Sequence, residues 1–334
     1  PTATLTSTHV NTGGSHNGAV TITLTFNEEM TGIADGDITV GNARCTLSAY
    51  TVATANTVFT QVCGGVGYTN GETITISVAA DAGTDPAGNG NTAATDFTWT
   101  YDTTVPTITS IAVTGVTSGQ YGNDATYQVI VTASEALDGE ATLVLQGGTV
   151  GSGSGSGGGS ATIWTYTFTP TDADEAVTIN IAAGGITDAA GNDNTAAATQ
   201  FLFTHDQTDP TATLTSTHVN TGGSYNGAVT LTLTFNEEMT GIADGDITVG
   251  NARCTLSAYT VATANTVFTQ VCGGVGYTNG ETITISVAAD AGTDPAGNGN
   301  TAATDFTWTY DTTVPTITSI AVTGVTSGQY GNDA

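Results

Sequence analysis

A chain whose second pass repeats its first has little freedom in how it folds. Residues 1–125 return at 210–334, offset by 209 positions, and only two of them change: His16 becomes Tyr225 and Ile22 becomes Leu231. Each copy must therefore hold whole folding units that fit the period. A weaker repeat of about half that length lies inside the long one. "FNEEMTG" (Phe26–Gly32) is answered by "ASEALDG" (Ala133–Gly139), and "DPAGN" (Asp85–Asn89) by "DAAGN" (Asp188–Asn192). An Asp-x-Thr-x-Pro boundary, first met in "WTYDTTVPTIT" (Trp99–Thr109), closes each half. The chain thus divides into a unit at 1–105, a different one at 106–209, a second copy of the first at 210–314, and the start of a second copy of the other at 315–334.

The last piece carries a single strand, which cannot bury its apolar side unaided. Donation of that strand to a neighbour is one reading, but the unit at 106–209 has a first strand of its own and no vacant slot. The expectation is a window on a longer array. No leader peptide is read at Pro1, in keeping with a piece of a larger polypeptide.

Each complete unit has the size of one immunoglobulin-like sandwich, about 100 residues. In the first unit the strand signals are Thr2–Ser7, Ala19–Phe26, Asp37–Val40, Cys45–Val52, Thr57–Cys63, Thr73–Ala79 and Asp96–Tyr101. "VTITLTF" puts Val20, Ile22, Leu24 and Phe26 on one face and three threonines on the other. Alternation with β-branched residues, punctuated by Gly, Asn and Asp, specifies strands, and no stretch has helical periodicity. The expected fold is all-β: tandem immunoglobulin-like β-sandwich domains in an extended array.

Charge narrows the function. Thirty acids stand against two basic residues, Arg44 and Arg253, for a net charge of −28. Such a surface repels nucleic acid and anionic membranes and attracts divalent cations. No run approaches 18 apolar residues, so this segment inserts in no membrane. Catalytic signatures are missing too: no nucleophile elbow, no HExxH, and no lysine for a phosphate loop or a Lys–Asn cross-link. His16 gives way to tyrosine in the other copy, which is unlike a catalytic base, and both residues are expected at the surface. The chain reads as a non-enzyme.

"TLTFNEEMTGIADGDITV" (Thr23–Val40), "ISVAADAGTDPAGN" (Ile76–Asn89) and "YDTTVPT" (Tyr101–Thr107), taken together, resemble the bacterial immunoglobulin-like repeats of giant calcium-dependent surface adhesins. The resemblance covers nearly the whole chain. It implies a secreted, cell-surface stalk of tandem sandwiches with Ca2+ near the domain junctions. Two features depart from the family pattern: a cysteine pair in the first unit and a Gly/Ser run in the second.

Calcium takes six to eight oxygens, from carboxylates, carbonyls and water. Three acids per unit recur where they could meet at one pole: Glu28, Asp85 and Asp102; Glu135, Asp188 and Asp206; Glu237, Asp294 and Asp311. Asp209, present at one boundary only, is placed to add a ligand there. Ordinary turn and capping roles account for single acids of this kind, but less readily for nine in one pattern. On this reading the boundary Asp is a ligand on the outgoing strand, and the proline stiffens the entry to the next unit.

Cys45 and Cys63 are symmetric about Thr54, so a turn at Ala53–Ala55 would set them face to face across an antiparallel pair. Cys45–Cys63 and Cys254–Cys272 are expected to be disulfides formed in an oxidising, extracellular compartment, with buried free thiols as the alternative. In the second unit "GGTVGSGSGSGGGSAT" (Gly147–Thr162) occupies that place, between expected strands Ala141–Gln146 and Ile163–Thr169, and reads as a protruding hairpin loop. Two functions fit: the extension segment of a very long adhesin, or a subunit segment of a self-associating filament or sheath with lateral copies as partners. Ligand binding by the domains themselves finds no regular aromatic or threonine array to support it.

Overall fold

The stretch Val20–Phe26 shows why this chain is built of strands. Val20, Ile22, Leu24 and Phe26 are buried, while Thr21, Thr23 and Thr25 are partly or fully exposed. A period of two with branched side chains is the pattern of a half-buried pleated surface. The computed structural model describes residues 1–41, 44–65, 67–156, 161–250, 253–323 and 325–330.

Among the described residues the first domain has nine strands: β1 (Ala3–Ser7), β2 (Gly14–His16), β3 (Val20–Phe26), β4 (Ile38–Val40), β5 (Cys45–Leu47), β6 (Thr51–Thr54), β7 (Val58–Gly65), β8 (Glu72–Val78) and β9 (Phe97–Tyr101). One sheet runs β1-β3-β7-β5, with β6 also on β7; the other runs β2-β9-β8-β4. Among the described residues of this domain only β2 and β9 pair in parallel. This is the strand order of an immunoglobulin sandwich. Trp99, Ile74 and Ile76 from one sheet and Ile22, Leu24 and Phe59 from the other fill the space between them. The sole helical element of this domain is a 3₁₀ turn at Asp35–Asp37, among the described residues.

The second domain follows the same plan: β10 (Ile108–Val113), β11 (Tyr121–Gly122), β12 (Tyr127–Ala133), β13 (Val144–Gln146), β14 (Gly148–Val150), β15 (Ser154–Gly155), β16 (Ile163–Pro170), β17 (Asp174–Asn180) and β18 (Phe201–Asp206). Its sheets are β10-β12-β16-β14, with β15 on β16, and β11-β18-β17-β13. Its core is built on Trp164, Tyr166, Tyr127 and Phe168. Two buried rings carry polar tips that need partners: Tyr166 Oη donates to the Ala141 carbonyl at 3.0 Å, and Tyr127 Oη meets His205 Nδ1 at 3.0 Å. The third domain repeats the first strand for strand, from Ala212–Ser216 to Phe306–Tyr310. Beyond it Ile317, Ile320 and Val322 are exposed, whereas the equivalent of the last of these, Val113, is buried in the second domain. By contact density the chain parts into two units, Pro1–His205 and Asp206–Ala334.

The structure corrects the sequence reading in two places. The expected strand Cys45–Val52 is broken after Leu47, and the turn lies later than expected, with Asn56 in the left-handed region at φ 53°. Ser48 stitches the break: its backbone N–H donates to the Val62 carbonyl and its Oγ accepts from Val62 N. Cys45 therefore sits opposite Gly65, and Leu47 opposite Cys63. The disulfide joins the diagonal pair, with Cα atoms 5.5 Å apart, and Cys254–Cys272 does the same. Both staples lie within one sheet rather than between sheets.

The Gly/Ser run, for its part, is not a loop between paired strands. β13 belongs to the sheet of β17, and the run itself supplies β14 and β15 as edge segments on β16. Glycine is needed at 148 because a Cβ there would lie 2.2 Å from the Phe168 ring. Residues 157–160 of the run lie outside the described residues.

Candidate metal centre

The segment from Asp102 to Thr107 joins the first domain to the second, and almost every residue of it is tied down. Asp102 N–H donates to the His16 carbonyl at 3.2 Å, and Asp102 Oδ1 accepts from Thr104 N at 2.9 Å. Asn70, at the end of a turn in the first domain, accepts from Thr103 N at 2.7 Å and donates to Thr104 Oγ1 at 2.8 Å. Pro106 is buried, and Thr107 exchanges hydrogen bonds with Ser134 of the second domain. Asp and Asn dominate here because their short side chains bond to backbone two residues away.

This segment delivers Asp102 to the second domain. There Glu135, just past β12, and Asp188, in the turn before β18, bring oxygens that lie with one from Asp102 within 4.8 Å of one another. Asp188 is buried and rigidly held: Oδ1 accepts from Ala190 N and Asn192 N at 2.8 Å each, and Oδ2 accepts from Asn192 Nδ2 at 2.9 Å. Gly191, at φ 92°, makes that tight turn possible. Burial, together with the charges of Asp188 and Asp102, pushes the Glu135 carboxyl above its ordinary pKa. Within Asp206–Ala334, Asp206, Glu237 and Asp294 make the same grouping, with Asp294 buried.

The groups differ from the sequence expectation in one systematic way. Asp102 joins the acids of the domain it leads into, not Glu28 and Asp85 of the domain it leaves, and Asp206 likewise joins Glu237 and Asp294. At the first junction the reason is chain direction: β9 ends at Tyr101, and the segment after it bonds to the second domain through Ser134 and Asn192. Glu28 and Asp85 are not brought together with a third acid among the described residues. Asn89 bonds hold the Asp85 carboxyl below the usual carboxylate range. Asp311 caps its own turn, with its pKa lowered by Thr313. Asp209 is exposed and stands outside the grouping.

The donor set suits a hard divalent cation. All three groups offer carboxylate oxygen, and two oxygens bound to one calcium at 2.3–2.6 Å can stand at most about 5 Å apart. His16 and Tyr225 are half-buried at the end of short parallel strands rather than fully exposed. Each ring packs on a histidine, His9 or His218, at 5.6 and 5.5 Å between centroids. Sequence reasoning passed over Asn70, Asn192 and Asn17. Asn192 is the last letter of "DAAGN", but nothing in that motif pairs it with Asn17.

The bacterial Ig-like domain family matches three times in tandem, at residues 1–101, 102–204 and 206–310. The chain belongs to this family. These family boundaries place Asp102 and Asp206 at the start of the Ig-like domain whose acids they join. No curated protein matches the chain. Among solved structures, this bacterial Ig-like chain is similar to the I-band fragment I67–I69 of titin, at 8% identity over 92% of this chain and 98% of that one, with a TM-score of 0.36. A marsupial T cell receptor matches at 12% identity over 85% and 96%, with a TM-score of 0.29. Domains 4–9 of the surface layer protein SbsC match at 16% identity over 93% and 47%, with a TM-score of 0.26. Tandem bacterial Ig-like domains of this kind suggest an extended surface or structural protein, and the disulfides are consistent with an extracellular one. Among the described residues no helix is long and apolar enough to cross a membrane.

Proposed function

We propose that this chain is a stalk segment of a long, secreted cell-surface adhesin, non-enzymatic, whose task is reach and stiffness. Calcium at the segment entering each domain supplies part of that stiffness. What carries the reading is the grouping of Asp102 with Glu135 and Asp188, repeated by Asp206 with Glu237 and Asp294. A hinge residue and two acids of the receiving domain then share one ion, so bending the hinge means breaking oxygen–metal bonds. Without a cation three carboxylates crowd together, and the Glu135 carboxyl is raised above its ordinary pKa first by burial and then by the charges of Asp188 and Asp102. The ion would relieve that crowding and draw Asp102 onto the second domain. Low-angle scattering on the chain in millimolar calcium and in chelator tests this: a longer, better-defined particle is expected with calcium. The same shape in both, with an unchanged melting temperature, would remove calcium from the account.

A further inference from the structure

The turn that carries Asp188 also carries an amide with both of its hydrogens engaged. Asn192 Nδ2 donates to the Asp102 backbone carbonyl at 3.0 Å and to Asp188 Oδ2 at 2.9 Å, while its Oδ1 accepts from Asn17 Nδ2 at 2.9 Å. Asn17 N–H donates in addition to the Ala190 carbonyl at 3.1 Å. Asn17 belongs to the first domain, directly after β2, so these bonds cross from one sandwich to the other. The Asp102 bond uses a backbone carbonyl, and the Asn17 bonds touch none of the three acids.

From this we infer that the Asp-x-Ala-Gly-Asn turn is a docking latch, which recognises the exit end of the preceding domain by direct hydrogen bonding and needs no cation to do so. The partner it fits is defined by chemistry. It must present a backbone carbonyl at the end of its last strand and a carboxamide just after its short parallel strand. All three domains carry asparagine at that second place: Asn17 after Gly14–His16, Asn123 after Tyr121–Gly122 and Asn226 after Gly223–Tyr225. The receiving amide also recurs, as Asn89, Asn192 and Asn298. Within Asp206–Ala334, Asn298 Nδ2 repeats the pair of bonds, to the Asp206 carbonyl and to Asp294 Oδ2 at 2.9 Å each. An aspartate at 192 would keep the size and lose both donors, turning two bonds into repulsions.

The test uses the full chain with spin labels at two exposed strand residues, Val52→Cys in the first domain and Val144→Cys in the second. All native cysteines are disulfide-bonded, so only the introduced thiols take label. Pulsed dipolar distance distributions are recorded in chelator for the parent chain, Asn17→Ala, Asn192→Ala and Asn192→Asp. The parent is expected to keep one dominant distance without calcium. Asn17→Ala should lower the ratio of docked to undocked population about fivefold, the worth of one net hydrogen bond, and Asn192→Ala, which removes two bonds across the junction, about 25-fold. If Asn192→Ala lowers the melting of the second domain itself, Asn17→Ala decides, because that residue lies in the other sandwich. A parent distribution as broad as the variants' in chelator, or variants as narrow as the parent, overturns the latch. Adding calcium to the parent tests the cation separately, since narrowing there neither requires nor supplies the Asn17 bonds.

Discussion

Removing the disulfides should unbalance the chain in a way its repeats make measurable. Each staple closes a loop with a sequence separation of 18 and ties the three-residue edge strand β5, or its counterpart, to the long central strand. Chain-entropy reasoning for a loop of that length gives about 3 kcal/mol. For a domain of about 100 residues, 1 kcal/mol moves the melting temperature by about 4–8 °C, so the loss should approach about 15 °C. Cys63 and Cys45 are buried, so reductant should be added in denaturant and kept present through refolding. The second domain has no cysteine and serves as an internal control. In scanning calorimetry, the transitions of the first and third domains should fall together while that of the second stays in place. A shift of less than about 3 °C in the first and third, or an equal shift in all, would refute the view that these within-sheet staples hold the edge strand.

Three further outcomes rest on individual contacts. Tyr127→Phe leaves His205 Nδ1 and the Asp124 N–H without the Tyr127 hydroxyl inside the second domain, and should cost about 1–3 kcal/mol by denaturant unfolding of that domain alone. Glu135 has a folded pKa above its unfolded one. Its contribution to stability is therefore complete below the unfolded value, about 4.3, and is lost as pH rises through the folded value. In chelator, the melting temperature of the parent should thus fall below that of Glu135→Gln as pH rises through that window, and saturating calcium should reverse the order. Gly148→Ala forces a methyl into the Phe168 ring and should destabilise the second domain by about 1–3 kcal/mol in the same unfolding assay.

The sequence carried the fold further than the site. The period in Val20–Phe26, the doubled repeat and the turn residues leave little choice but tandem sandwiches, because burial alternates as the side chains do. What escaped was short or indirect. Gly14–His16 has too few residues and too little branching to read as a strand; it exists because β9 offers it a partner. The break at Ser48 is set by hydrogen bonds to Val62 across the sheet, which no local pattern reveals, and it shifted the cysteine register by two. For the acids, the repeat picked out nine residues but not which of them the fold groups together. Periodicity within a unit cannot tell whether a terminal Asp serves the domain behind it or the one ahead; only the path of the chain past Pro106 decides that. Asn192 and Asn17 were invisible as a pair because they lie 175 positions apart.

In the proposed function an acid leaving one domain completes a calcium site in the next. Calorimetric titration of calcium into chelator-stripped chain, compared with Asp102→Ala, tests it most directly. Saturable binding by the parent is expected, with the loss of one equivalent in Asp102→Ala, the remaining sites unchanged and the second domain no longer stabilised by calcium through linkage. Identical stoichiometry and affinity in the two chains, or no saturable heat in the parent, would contradict it.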